Sequence, residues 1–174
     1  MRTWAEIDLT ALEHNYRTLR AMLPRECRFL GLCKANAYGH GAAVIGHTLE
    51  RLGADMLAVA CVSEAEELRQ SGVKLPILCL GETPEELIPL LLELDVTQMV
   101  EDLETGRRLS AAAQRAGRTL RVHVKLDTGM SRLGFLWEAG REEETADEIA
   151  RLKKAVFPRI LPSGIPLSFS SAPW

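Results

Sequence analysis

Lys34 is the residue of this chain best placed for chemistry. It ends an apolar run of strand length, Phe29 to Cys33, and opens the stretch Lys34-Ala35-Asn36-Ala37-Tyr38-Gly39-His40-Gly41. A lysine at the end of a buried strand costs free energy unless it has a use. Covalent chemistry with an aldehyde cofactor is such a use. Burial or a nearby positive charge lowers the amine pKa, so that the neutral nucleophile is available near neutral pH.

A second group of polar residues lies later in the chain. Leu120-Arg121-Val122-His123-Val124-Lys125-Leu126 alternates, which puts Arg121, His123 and Lys125 on one face of a strand and the four apolar residues on the other. As a bare pattern this is a half-exposed strand with a solvated basic face. Inside a barrel the same three side chains need partners. Asp127-Thr128-Gly129-Met130-Ser131-Arg132-Leu133-Gly134-Phe135 follows at once.

The elements that must position these groups alternate in type. A helix is expected from Asp8 to Leu23, ended before Pro24. Strands are expected at Phe29–Cys33, Asp55–Ala60, Leu75–Leu80, Val96–Val100 and Leu120–Leu126. Between them lie helices over Ala42–Leu52, closed by Gly53, from a Ser63/Glu66 capping box to Gly72, from a Thr83/Glu86 capping box with Pro84 at the first helical position, and from Leu103 to Gly117. An acidic helix from Arg141 to Lys153 closes the series. Strand–helix alternation means a parallel sheet, and both a doubly wound sheet and a (β/α)8 barrel satisfy it.

Composition narrows the classes. A chain of 174 residues is one domain by length. Its net charge of −3, without a basic block, gives nucleic-acid binding no support. Cys27, Cys33, Cys61 and Cys79 form no C-x-x-C pair, and they read as buried free thiols of a reducing compartment, with no metal site. Without an apolar signal core or a membrane-length segment, a cytoplasmic protein is expected. His14 and His47 read as helix-surface residues, Glu64, Glu66 and Glu67 as a solvated helix start, and Glu142 to Glu144 as charge favourable to a helix dipole. Residues 155–174 hold four of the eight prolines and four serines, the composition of an irregular tail after a domain spanning 1–154.

The lysine stretch and the Asp127–Phe135 loop both resemble motifs of the bacterial alanine racemases, and the resemblance covers about Arg2 to Leu152. It implies the barrel, here an incomplete one of five to six βα units, since a full barrel takes roughly 250 residues. It implies pyridoxal 5'-phosphate as cofactor, carried by Lys34, with Tyr38 at the cofactor phosphate. Arg132 would serve the cofactor's phenolic oxygen and the substrate carboxylate, a task suited to a bidentate guanidinium. The lysine matching Lys125 is commonly carbamylated in the family, which would turn a like-charge problem into an ion pair. The reaction implied is the interconversion of L- and D-alanine for cell-wall precursors, with Lys34 as one of two bases. The other base in the family is a tyrosine of the partner subunit in a homodimer. Only Tyr16 and Tyr38 occur here, so a truncated racemase is the expectation. The alternatives are a serine-preferring relative, a non-catalytic carrier of the cofactor, and an inactive fragment. Gly164-Ile165-Pro166-Leu167-Ser168-Phe169 keeps the outline of the family's next strand but places a proline within it and a serine where the family has histidine.

Overall fold

In the computed structural model, residues 3–156 are described. They divide into two compact units, one ending at Gly81 and the other starting at Glu82.

The first unit opens with α1 (Leu9–Ala21), whose N-cap Asp8 accepts from the N–H groups of Thr10 and Ala11. This cap satisfies backbone donors that the first helical turn leaves without a partner. The helix is anchored by Tyr16, which is buried edge-on against Phe29 with ring centroids 4.8 Å apart. β1 (Leu30–Leu32), β2 (Met56–Val59) and β3 (Ile77–Cys79) pair side by side in parallel, with Leu30 opposite Met56 and Leu57 opposite Ile77. Between β1 and β2 come a short turn, α2 (Lys34–Tyr38), and a longer helix, α3 (Ala42–Leu52), which ends at Gly53 in the left-handed region. α4 (Val62–Gln70) links β2 to β3. The core between strands and helices is Leu57, Val59, Val62, Leu68, Val73 and Ile77, all essentially inaccessible. Burying each such side chain is worth roughly 1.5–3 kcal/mol. Gly31 serves this packing directly, since a Cβ there would lie 2.5 Å from Leu49 Cδ1 on α3.

The second unit runs through a 3-10 turn (Glu85–Leu87), α5 (Ile88–Glu93), β4 (Thr97–Val100), α6 (Leu103–Arg115) and β5 (Val122–Val124). β4 and β5 are parallel, with Met99 opposite His123. β6 (Leu126–Asp127) and β7 (Phe135–Leu136) form a separate parallel pair, and α7 (Glu142–Val156) follows. Ile88, Leu91, Val96, Leu109, Phe135 and Leu152 make its core. Asp102 caps α6 through the N–H of Thr105.

The fold is α/β, and its order of elements is that of a (β/α)8 barrel carried through five parallel strands. Three local expectations are corrected. Thr83 does not cap a helix; it is buried and its hydroxyl donates to Gln98 Oε1 at 2.6 Å, and a 3-10 turn replaces the first helical turn. The Ser63/Glu66 box does not form either, because α4 starts two residues earlier, with Cys61 and not Ser63 at the cap position. Of the four thiols only Cys33 and Cys79 are buried; Cys27 and Cys61 are exposed. α7 continues to Val156, and the rest of the tail expected over residues 155–174, with Pro166 and Ser168, lies outside the described residues.

Candidate active site

Lys34 stands directly after β1 and Cys33, and the turn that follows it is unusual. Ala35, Asn36 and Ala37 all have φ and ψ near +50°, and Tyr38 has φ 55°. Four successive non-glycine residues thus occupy the left-handed helical region, at a cost of roughly 1–2 kcal/mol for each ordinary side chain. Asparagine tolerates it best. Gly39, at φ 86°, ends the turn.

Hydrogen bonds offset that cost. Ala37 N–H donates to Cys33 O, and Gly41 N–H to Asn36 O. The Asn36 side chain accepts from Ala42 N–H at 2.7 Å and so caps the start of α3. His40 Nδ1 lies 2.8 Å from Ala37 O, which gives this histidine a place in the turn. Glu64 on α4 accepts from Ala35 N–H through Oε1 and from Ala60 N–H through Oε2, each at 2.7 Å. It is therefore not the merely solvated helix-start residue that its neighbourhood in the sequence implies.

Lys34 is half-buried, and its Nζ lies 5.9 Å from the centroid of the Tyr38 ring, within cation–π range. No carboxylate pairs with it among the described residues. Tyr38 is 58% exposed, which leaves its hydroxyl open to a ligand. The neighbouring Cys33 thiol is pushed up to about 11, by burial first and by the charge of Glu64 second, so it stays protonated and is not a competing nucleophile.

The arginine loop, in the second unit, is built on Asp127. Its buried carboxylate accepts from Gly129 and Ser131 N–H through Oδ1 and from Arg132 N–H through Oδ2, each at 3.0 Å. These bonds hold its carboxyl below the usual carboxylate range, that of Gly129 contributing most. The Arg132 side chain is exposed and makes no ion pair among the described residues. Gly134, at φ 115°, closes the loop. A Cβ there would lie 2.7 Å from Lys125 Cγ and 2.8 Å from Lys125 O.

The basic face of β5 resolves itself residue by residue. Arg121 pairs with Asp95 at 2.7 Å. Burial lowers the pKa of His123, which favours its neutral form. Lys125, half-buried, is left without an ion pair among the described residues.

Lys34 and Tyr38 are thus brought together in one turn, and Lys125 and Arg132 flank one loop. The sequence reading missed Glu64, Asn36 and Asp127 as structural ligands of these segments. An aspartate two residues before a glycine is a turn signature that could have exposed Asp127. Nothing local marks Glu64. Among the described residues no His, Cys, Asp and Glu cluster could hold a metal, and no helix is long and apolar enough to cross a membrane.

Similarity to known proteins bears on the same residues. Residues 7–161 match the family model described as alanine racemase, N-terminal domain. Alanine racemase of Desulfovibrio desulfuricans is 43% identical over 143 residues, which are 82% of this chain and 37% of that protein. Alanine racemase 1 of Clostridium acetobutylicum is 40% identical over 169 residues, 97% of this chain and 42% of that protein. A solved structure of alanine racemase from Clostridium difficile 630 in complex with cycloserine matches with a TM-score of 0.83 at 41% identity, over 89% of this chain and 42% of that one. The chain spans about two-fifths of the length of these relatives.

Proposed function

Since the chain belongs to the alanine racemase N-terminal domain family, we propose that it supplies the cofactor lysine and the binding arginine for the interconversion of L- and D-alanine. The observation that carries this reading is the Lys34 amine, without an ion pair among the described residues, at the end of a parallel strand and before a turn that the left-handed conformations of Ala35, Ala37 and Tyr38 make costly to keep. Strain of this kind persists where surrounding structure over-determines it, and it concentrates at functional sites.

The donor set fits pyridoxal 5'-phosphate. An aldehyde needs an amine free of ion pairs, and among the described residues the Lys34 amine is one. A phosphate needs hydrogen-bond donors, and the exposed Tyr38 hydroxyl is one. When bound, the cofactor supplies an electron sink that makes the α-proton of an amino acid acidic. Lys34 Nζ would hold it, and once free would take or return the α-proton on one face. Arg132 would donate to the phenolic oxygen and the substrate carboxylate. Lys125 would be carbamylated, carbon dioxide adding to its neutral amine with loss of a proton, to give Arg132 an anionic partner. Tyr16 does not serve the opposite face, because its ring is buried against Phe29. In the family that base is a tyrosine of the partner subunit, and neither tyrosine of these 174 residues takes its part; the setting would be cytoplasmic.

The test is to mix the purified chain with pyridoxal 5'-phosphate, follow the visible absorbance, reduce with borohydride and map peptides. Label on Lys34, lost in Lys34→Ala, is the expected result, with racemisation of L-alanine as the next assay. Label spread over the other lysines and absent from Lys34 would sink the reading.

A further inference from the structure

The left-handed turn after Lys34 cannot be explained by its own residues. Asn36 and Gly39 suit it, but Ala35, Ala37 and Tyr38 do not. Support must come from outside, and one side chain provides it. Glu64 lies 29 positions after Ala35, on α4, and divides its two carboxylate oxygens between two backbone donors. One is the N–H of the residue next to Lys34, and the other is the N–H of Ala60, just past the end of β2. Both bonds are 2.7 Å long, the length expected when the acceptor is ionised. The charge of Glu64 also acts on the thiol of Cys33, the residue before Lys34.

We propose that Glu64 is a positioning residue for Lys34, fastening the left-handed turn to the end of β2 and so setting where the amine is presented. The inference rests on reading Lys34 as the lysine that carries the cofactor. Glu64 itself touches neither the amine nor a reacting atom. Its effect passes through the Ala35 peptide, and small displacements of a reacting group are costly in rate.

The experiment uses the full chain as wild type, Glu64→Gln and Glu64→Asp. Glutamine keeps the shape but turns an NH2 toward one of two N–H donors; aspartate keeps the charge but is too short for both bonds. Two readouts are taken: amide hydrogen exchange at Ala35 and Ala60, and the rate at which borohydride traps pyridoxal phosphate on Lys34. Lys74, Lys153 and Lys154, which have no place in the proposed site, serve as internal controls. In wild type, the Ala35 amide should be protected although the residue is exposed. Glu64→Gln should speed exchange at one or both amides and slow trapping on Lys34, each on the order of tenfold, as loss of a hydrogen bond to a charged group implies. Trapping at the control lysines should not change. Glu64→Asp should recover part of the effect.

An Ala35 amide that exchanges as freely in wild type as its exposed neighbours overturns the proposal, and this readout stands even if a variant fails to fold. So does wild-type trapping on Lys34 in Glu64→Gln. A wild-type chain that takes no label on Lys34 overturns the cofactor reading instead, and the exchange contrast then decides the fastening by itself.

Discussion

In the lysine turn, the carboxylate that takes backbone N–H groups comes from another helix; in the arginine loop it comes from the loop itself. Glu64 reaches Ala35 across 29 positions, whereas Asp127 takes Gly129, Ser131 and Arg132 within two to five. The backbones differ in the same sense. The turn forces Ala35, Ala37 and Tyr38 to positive φ, while the loop places Gly129 and Gly134 at two of its three positive-φ positions, the third being Ser131. One segment is therefore locally consistent and the other is held from a distance. A locally consistent segment forms wherever its own residues are present. A segment held from a distance forms only with the packing that brings its support.

Substitutions can break this comparison. The largest effect is expected from Asp127→Ala, which strips three N–H groups of their acceptor. Amide protection at Gly129, Ser131 and Arg132 should be lost together, with Ala35 in the lysine turn unaffected. Acid should do the same to the wild type. A carboxyl held below its usual range by folding adds stability above its unfolded pKa and loses it as pH falls through the folded value. The loop should thus persist at neutral pH and open only below the ordinary carboxylate range, which an acid titration of the Gly129 and Arg132 amide signals would show.

Gly134→Ala comes next. It adds a Cβ against the Lys125 backbone at a φ that alanine resists, and about 3 kcal/mol should be lost in denaturant unfolding. In the lysine turn, Asn36→Ala should cost about 1 kcal/mol, through the lost cap on Ala42 and the poorer left-handed residue. Asn36→Gly, which restores the backbone freedom but not the cap, should recover part of it.

The smallest effect has the opposite sign. Glu101 follows β4 with its Oε2 buried and without a hydrogen-bond partner among the described residues. Burial raises its pKa, with Glu82 and Asp102 adding to the effect. A raised carboxyl contributes stability in acid and loses it as pH rises through its folded value. Glu101→Gln should remove that dependence and raise the stability at pH 7 by less than about 1 kcal/mol, seen as a higher melting temperature. A carboxylate given N–H donors is an asset, and one denied them is a burden; a destabilised Glu101→Gln would refute the contrast.

The same division decided what could be read from the sequence. Helix limits followed from periodicity and from Gly53, which ends α3 as expected; that Asp8 caps α1 and Asp102 caps α6 came only with the structure. The parallel alternation followed from apolar runs separated by helical periods, and the lysine and arginine segments from their motifs. What escaped was long-range. Thr83, with Glu86 three residues later, has the local form of a cap, but Gln98 on β4 claims its hydroxyl. Glu64 sits among acidic residues at a helix start, and only the folding of α4 beside the lysine turn and the end of β2 reveals its two bonds. The basic face of β5 was legible as a problem. Its solution, Asp95 for Arg121 and burial of His123, was not.

The left-handed turn also bears on the order in which the chain assembles. Its backbone conformation is scarce in the unfolded ensemble, and its support arrives only when β1, β2 and α4 have met. Lys34 should therefore reach its native setting late, after the transition state, and mutations there should speed unfolding while leaving the folding rate nearly untouched. The lysine's surroundings would then be the last part of the first unit to mature and the first to loosen.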